Sequence, residues 1–163
     1  MVTAVEVAGS VTDPELPMIT LADLGVLREV SEEDGRVIVA ITPTYTGCPA
    51  MDTMCDDLEH ALRGAGYREI EVRTVLRPAW STDWISEGGK RKLAEAGIAP
   101  PGAAPRRTTA PIPLTLSAPA RLVRCPRCDS ADTEEVSRFS ATACKALRRC
   151  SSCLEPFEHV KEI

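Results

Sequence analysis

The chain has 163 residues, of which 44% are hydrophobic and 26% charged, with a net charge of −5. That allows one ordinary domain plus a small module, and it is too apolar for a disordered chain. No apolar run approaches the ~18–20 residues needed to cross a bilayer, and residues 1–10 lack a basic stretch followed by an apolar one, so no membrane role and a cytoplasmic location are expected.

In chain order, Thr12-Asp13-Pro14-Glu15 comes first and places two carboxylates around a proline, which by itself reads as a capped turn. Gly25–Val30 and Arg36–Ile41 are rich in β-branched residues and flank the polar segment 31–35, predicting a hairpin. Thr44-Tyr45-Thr46-Gly47-Cys48-Pro49 follows, and then Met51, Met54, Cys55, Leu58 and Leu62 form the stripe of an amphipathic helix, with Pro49 suited to its first position.

This spacing puts Cys48 at or beside the helix N-cap, where free N–H groups and the dipole would lower its pKa. Packing as a small buried residue is the alternative, and Cys55 on the apolar stripe belongs to the core. Residues 69–76 alternate as a third strand, and a last helix is expected over 86–96 with Ser86 as N-cap. Trp80 and Trp84 fall in the loop between them, as anchors for a partner or as packing on the sheet. The expected first unit, residues 1–97, is thus α+β, with one helix crossing between strands two and three.

Residues 98–118 are proline-rich and lack helical or strand periodicity, so they read as an extended linker. Residues 119–163 hold Cys125 and Cys128, then 21 residues, then Cys150 and Cys153. Two C-x-x-C pairs at this spacing predict a structural four-cysteine zinc ribbon, a rubredoxin-like iron site or a redox dithiol being the rival readings. Val123, Val136, Phe139, Leu147, Leu154, Phe157 and Val160 are too few to fold this module alone, so the metal must contribute. Cys144 lies between the pairs as a spare thiol or a partner for Cys48, with Lys145 favouring its thiolate.

Charge separates the two parts: residues 1–97 carry 17 acidic and 9 basic side chains, net −8, and residues 98–163 carry 7 and 10, net +3. Arg121, Arg124, Arg127, Arg148 and Arg149 form a solvated face or a dock for an acidic partner, and an acidic protein does not read as a nucleic-acid binder. His60 and His159 are expected to be structural. His60 stands roughly 18 Å from Cys48 along a helix, which leaves a thiol enzyme without a base.

Together, Asp13-Pro14-Glu15-Leu16-Pro17, Asp23-Leu24-Gly25-Val26-Leu27, the segment Ile41 to Met51 containing Thr-x3-Cys-Pro, the loop Pro78 to Trp84 and the Thr-Ala-Cys-Lys-Ala-Leu insertion resemble the PaaD-type phenylacetate-degradation proteins. That family joins an iron–sulfur assembly domain, like those of SufT and the cytosolic iron–sulfur targeting factors, to a C-terminal zinc ribbon. The resemblance implies a non-catalytic accessory or maturation factor for the multicomponent phenylacetyl-CoA monooxygenase. Its partners would be the oxygenase components, especially the flavin and [2Fe–2S] reductase.

The family's functional cysteine falls on Cys48 and its acidic element on Asp13 and Glu15. The resemblance thus implies a transient iron or iron–sulfur cluster held by Cys48, with Asp13 or Glu15 and Cys144 nearby. The alternative is a structural subunit or adaptor of the oxygenase complex, bound through Trp80, Trp84 and the basic ribbon face.

Overall fold

The computed structural model describes residues 2–105 and 122–163. It opens with α1 (Ala4–Ser10), an element not expected from hydrophobic periodicity, whose signal is a capping box: Thr3 Oγ1 accepts from Glu6 N at 3.2 Å and Glu6 Oε2 accepts from Thr3 N at 2.8 Å. The chain then loops through Asp13–Ile19 and enters the hairpin β1 (Leu27–Glu33) and β2 (Arg36–Ile41). Strand β1 runs closer to the turn than the polar composition of 31–35 suggested. Asp34 and Gly35 take left-handed φ values of 50° and 80°, so two residues suffice to close the turn.

From β2 the chain crosses through α2 (Met51–Gly64) to β3 (Glu69–Thr74), which pairs parallel to β2 and gives the order β1-β2-β3. Met54, Leu58 and Leu62 of α2 are buried against Val37, Val39 and Ile41, which alternate along the inner face of β2. The parallel pair leaves the carboxyl ends of β2 and β3 on one edge, where α/β crossovers place binding loops. The segment carrying Cys48 leaves from that edge.

The tryptophan loop comes next and leads into α3 (Glu87–Glu95), capped by Ser86 Oγ accepting from Gly89 N at 2.9 Å. Where a linker was expected from residue 98, Ile98–Ala99 instead form β4, pairing parallel to the last strand of the ribbon. Gly102 N donates to Glu162 Oε1 at 3.1 Å and Ala104 N to Asp83 Oδ1 at 2.9 Å, so the first residues of that segment are tied down. The rest of the expected linker, 106–118, and Arg121 lie outside the described residues.

The ribbon sheet has the order β4-β7-β6-β5, built from β5 (Thr133–Ser137), β6 (Lys145–Cys150) and β7 (Pro156–Val160). Its apolar core is smaller than the sequence suggested, because Val136, Phe139 and Leu154 are exposed. Around the cysteines, among the described residues, only Ala99, Val123 and Phe157 join Cys125 and Cys150 in the buried cluster, while Ile98 and Val160 belong to the core of the first unit. The ribbon is thus packed on the first unit along β7. Among the described residues no helix is long and apolar enough to cross a membrane.

Candidate functional site

Cys125, Cys128, Cys150 and Cys153 come together with all four sulfurs within 4.8 Å of one another. A tetrahedral ion with metal–sulfur bonds of about 2.3 Å separates its sulfurs by about 3.8 Å. The observed separations, 3.7 Å for Cys125–Cys153 and 3.6 Å for Cys128–Cys150, fit that size.

The two knuckles repeat one design. In each, the first cysteine's N–H donates to a carbonyl five residues on, Ser130 O at 2.9 Å and Glu155 O at 3.0 Å. The residue after the second cysteine turns left-handed, Asp129 at φ 59° and Leu154 at φ 64°. Cys153 N–H faces Cys150 Sγ at 3.5 Å and holds that thiol below its ordinary range, which suits a thiolate ligand. The arrangement can bind a metal, and all four positions are taken by protein sulfur.

A second cluster forms where the ribbon meets the carboxyl edge of the first sheet. Asp13 is 7% exposed, and its Oδ1 accepts from Glu15 N and Leu16 N, both at 2.8 Å, which fixes the turn carrying Glu15. Glu15 interacts electrostatically with Cys48, Cys144 and Tyr45, and Lys145 with both Asp13 and Glu15. The structure thus gathers Asp13, Glu15, Cys48 and Cys144, although Cys48 and Cys144 are far apart in sequence. It adds Tyr45, which the sequence offered only as part of the Cys48 segment, and Lys145, expected only to favour the Cys144 thiolate. Lys145 is 5% exposed, its ammonium pairs with Glu158 Oε2 at 2.7 Å, and it also acts on Asp13 and Glu15 of the acidic unit.

The expectation of a lowered Cys48 pKa is overturned. Helix α2 begins at Met51 with Ala50 as its N-cap and no side-chain cap, so both Cys48 and Pro49 precede the helix. Ala50 N–H does reach the Cys48 sulfur, but partial burial pushes the thiol up, and the charges of Glu15 and Asp13 push it further. Cys144 is likewise pushed up by burial, against the Thr142 hydroxyl at 3.1 Å and the Lys145 charge. Burial also raises Asp13 and Glu15, and it lifts the Tyr45 phenol to about 12, helped by Cys48. The two thiols therefore hold their protons at neutral pH. The pocket is not a preassembled chelate, since among the described residues the four ribbon cysteines alone bring three or more ligand atoms within 4.8 Å.

The tryptophans are not free anchors. Trp80 is 4% exposed and its Nε1–H donates to Leu24 O at 3.0 Å. Trp84 is half-buried, with the Arg28 guanidinium 3.7 Å above its ring and Gly25 pressed against it. Between them, Thr82 N and Ser81 Oγ each donate to Ile163 O at 3.1 Å, so this loop receives the ribbon of the same chain. His60 is exposed on α2, and His159 is buried beside Glu162 at 3.4 Å.

Known proteins resemble both parts. The iron-sulfur cluster assembly protein family matches residues 4–75, and the PaaD zinc beta ribbon domain matches residues 109–161. An Escherichia coli (strain K12) protein described as a putative 1,2-phenylacetyl-CoA epoxidase subunit is 40% identical over 151 residues, 93% of this chain and 86% of that one. The Fe-S protein maturation auxiliary factor YitW of Bacillus subtilis (strain 168) is 33% identical over 85 residues, 51% of this chain and 82% of its own. Among solved structures, a domain of unknown function, DUF59, from Bacillus anthracis is 28% identical with a TM-score of 0.51, covering 55% of this chain and 87% of that one. With an assembly-type domain and a four-cysteine ribbon matched in one chain, this protein belongs to the PaaD-type family.

Proposed function

We propose that this chain is an accessory maturation factor of a phenylacetyl-CoA oxygenase, that its ribbon cysteines hold one structural zinc, and that Cys48 transiently holds iron or an iron–sulfur cluster bound for the reductase component. The observation that carries the transfer role is the meeting of Cys48, Cys144 and Glu15 at the seam, with ligands contributed by both parts of the chain. A donor must let its cargo go. Protonated thiols beside carboxylates, more widely spaced than the ribbon cysteines, bind a cation less firmly than four converging thiolates do. In this reading Asp13 chiefly sets the turn, and Glu15 supplies the oxygen ligand or base.

Coexpression of the reductase with wild type or Cys48→Ala tests the role: lower cluster content with the variant is expected, and equal content would refute it. The Escherichia coli relative is described as a subunit of the epoxidase itself, which favours a second reading, a structural component or adaptor of the oxygenase. Stable co-purification with the assembled oxygenase, unchanged by Cys48→Ala, would select it.

A further inference from the structure

We propose that the metal in the four-cysteine site controls access to the Cys48 pocket, with β6 as the strut that joins them. Strand β6 runs from Lys145 to Cys150, about 17 Å at 3.4 Å per residue. Cys150 is a metal-site sulfur at one end. Lys145 and the preceding Cys144 meet Asp13, Glu15 and Tyr45 at the other.

The strut's two ends are held by different means. At the metal end the buried apolar side chains other than cysteine are, among the described residues, Ala99, Val123 and Phe157, too few to order the knuckles without the ion. At the pocket end Lys145 is register-paired with Val160, and Lys161 N donates to Cys144 O at 2.9 Å. Cys144 is therefore tied to β7 through the β6–β7 register, beside its local contact with Thr142. The buried Lys145 charge depends on the same pairing, because its partner Glu158 lies on β7.

Strand β6 lies between β5 and β7, so an opening that starts at the knuckles breaks ladder bonds on both its sides. It also parts buried Lys145 from Glu158, its ion-pair partner on β7, which couples the two ends into one cooperative unit. Metal loss would withdraw Cys144 and Lys145 from Glu15 and Tyr45, the two residues that also act on Cys48, and so open the seam beside Cys48. The proposal rests on reading the Cys48 pocket as the cargo site: a ribbon without zinc would then be unable to assemble it.

The test uses the full chain, zinc-loaded and after zinc removal with a chelator, with a short pulse of iodoacetamide and quantitation of each cysteine by peptide mass spectrometry. Zinc removal is expected to speed labelling of both Cys144 and Cys48 by about tenfold or more, while Cys55, packed on the core from α2, changes by less than about twofold. Zinc readdition should restore protection. Unchanged Cys48 and Cys144 labelling with the four ribbon cysteines exposed would overturn the coupling, as would an equal rise at Cys55, which signals global unfolding. Labelling needs no iron, so the outcome is independent of the reductase coexpression: metal-dependent protection with equal cluster content would remove the cargo reading and leave the coupling standing.

Discussion

Replacing Trp80 separates a loop that grips a partner from one that holds the chain's own fold. The indole is 4% exposed, and its N–H is the donor to Leu24 O at 3.0 Å. Trp80→Phe keeps most of the packing but leaves that buried carbonyl without its donor, a loss of about 1–3 kcal/mol. Trp80→Ala also opens a cavity and should cost about 3–5 kcal/mol, a large part of the ~5–15 kcal/mol of a typical domain. At about 2–4 °C per kcal/mol for a chain of this size, the alanine variant should melt roughly 6–20 °C lower. Urea unfolding followed by circular dichroism, with the metal kept bound, measures both losses. A Trp80→Ala variant that unfolds at the wild-type midpoint yet loses association with the oxygenase components would refute the internal role, since that is the behaviour of an exposed anchor.

Three further outcomes are expected. Because burial and the Glu15 charge raise the Cys48 pKa, its alkylation rate should keep rising beyond the pH at which an unfolded control peptide levels off, and Glu15→Gln should move the midpoint down; a wild-type midpoint at or below the control's contradicts the pocket electrostatics. Gly25→Ala puts a Cβ 2.7 Å from Trp84 Cβ at a φ of +74°, whereas Gly35→Ala meets nothing within 4 Å at φ +80°. Both incur the left-handed penalty of about 1 kcal/mol, and only Gly25→Ala should cost more in urea unfolding. Metal analysis with thiol titration on anaerobically purified protein should give one zinc and three reactive thiols, Cys48, Cys55 and Cys144.

The elements were legible where local chemistry decides them. The α2 stripe, the Ser86 cap and the paired C-x-x-C knuckles each depend on residues within a turn or two of one another, and each stands where its pattern indicates. What local pattern cannot reach is pairing across the chain. Ile98–Ala99 carry no strand signal of their own and become β4 because β7 offers an open edge beside them. The tryptophan loop is occupied for the same reason, since its bond from Ser81 Oγ to Ile163 O joins residues 82 positions apart.

Cys48 shows how far local chemistry governs reactivity. The start of α2 does supply a real donor, the Ala50 N–H, and its effect on the thiol has the expected downward sign. A sulfur's protonation, however, is set by everything that surrounds it. Burial, and the carboxylates of Glu15 and Asp13 brought in by a turn more than thirty residues earlier, oppose that donor and the Tyr45 hydroxyl that assists it. Lys145 is the compensating cation, and it lowers Asp13, Glu15 and Cys144. Both thiols thus feel the Glu15 carboxylate, which Lys145 opposes at Cys144 and to which Asp13 adds at Cys48. A thiol held protonated in this way must release its proton to act as a ligand or nucleophile, whereas a helix-capping thiolate would have lost it already.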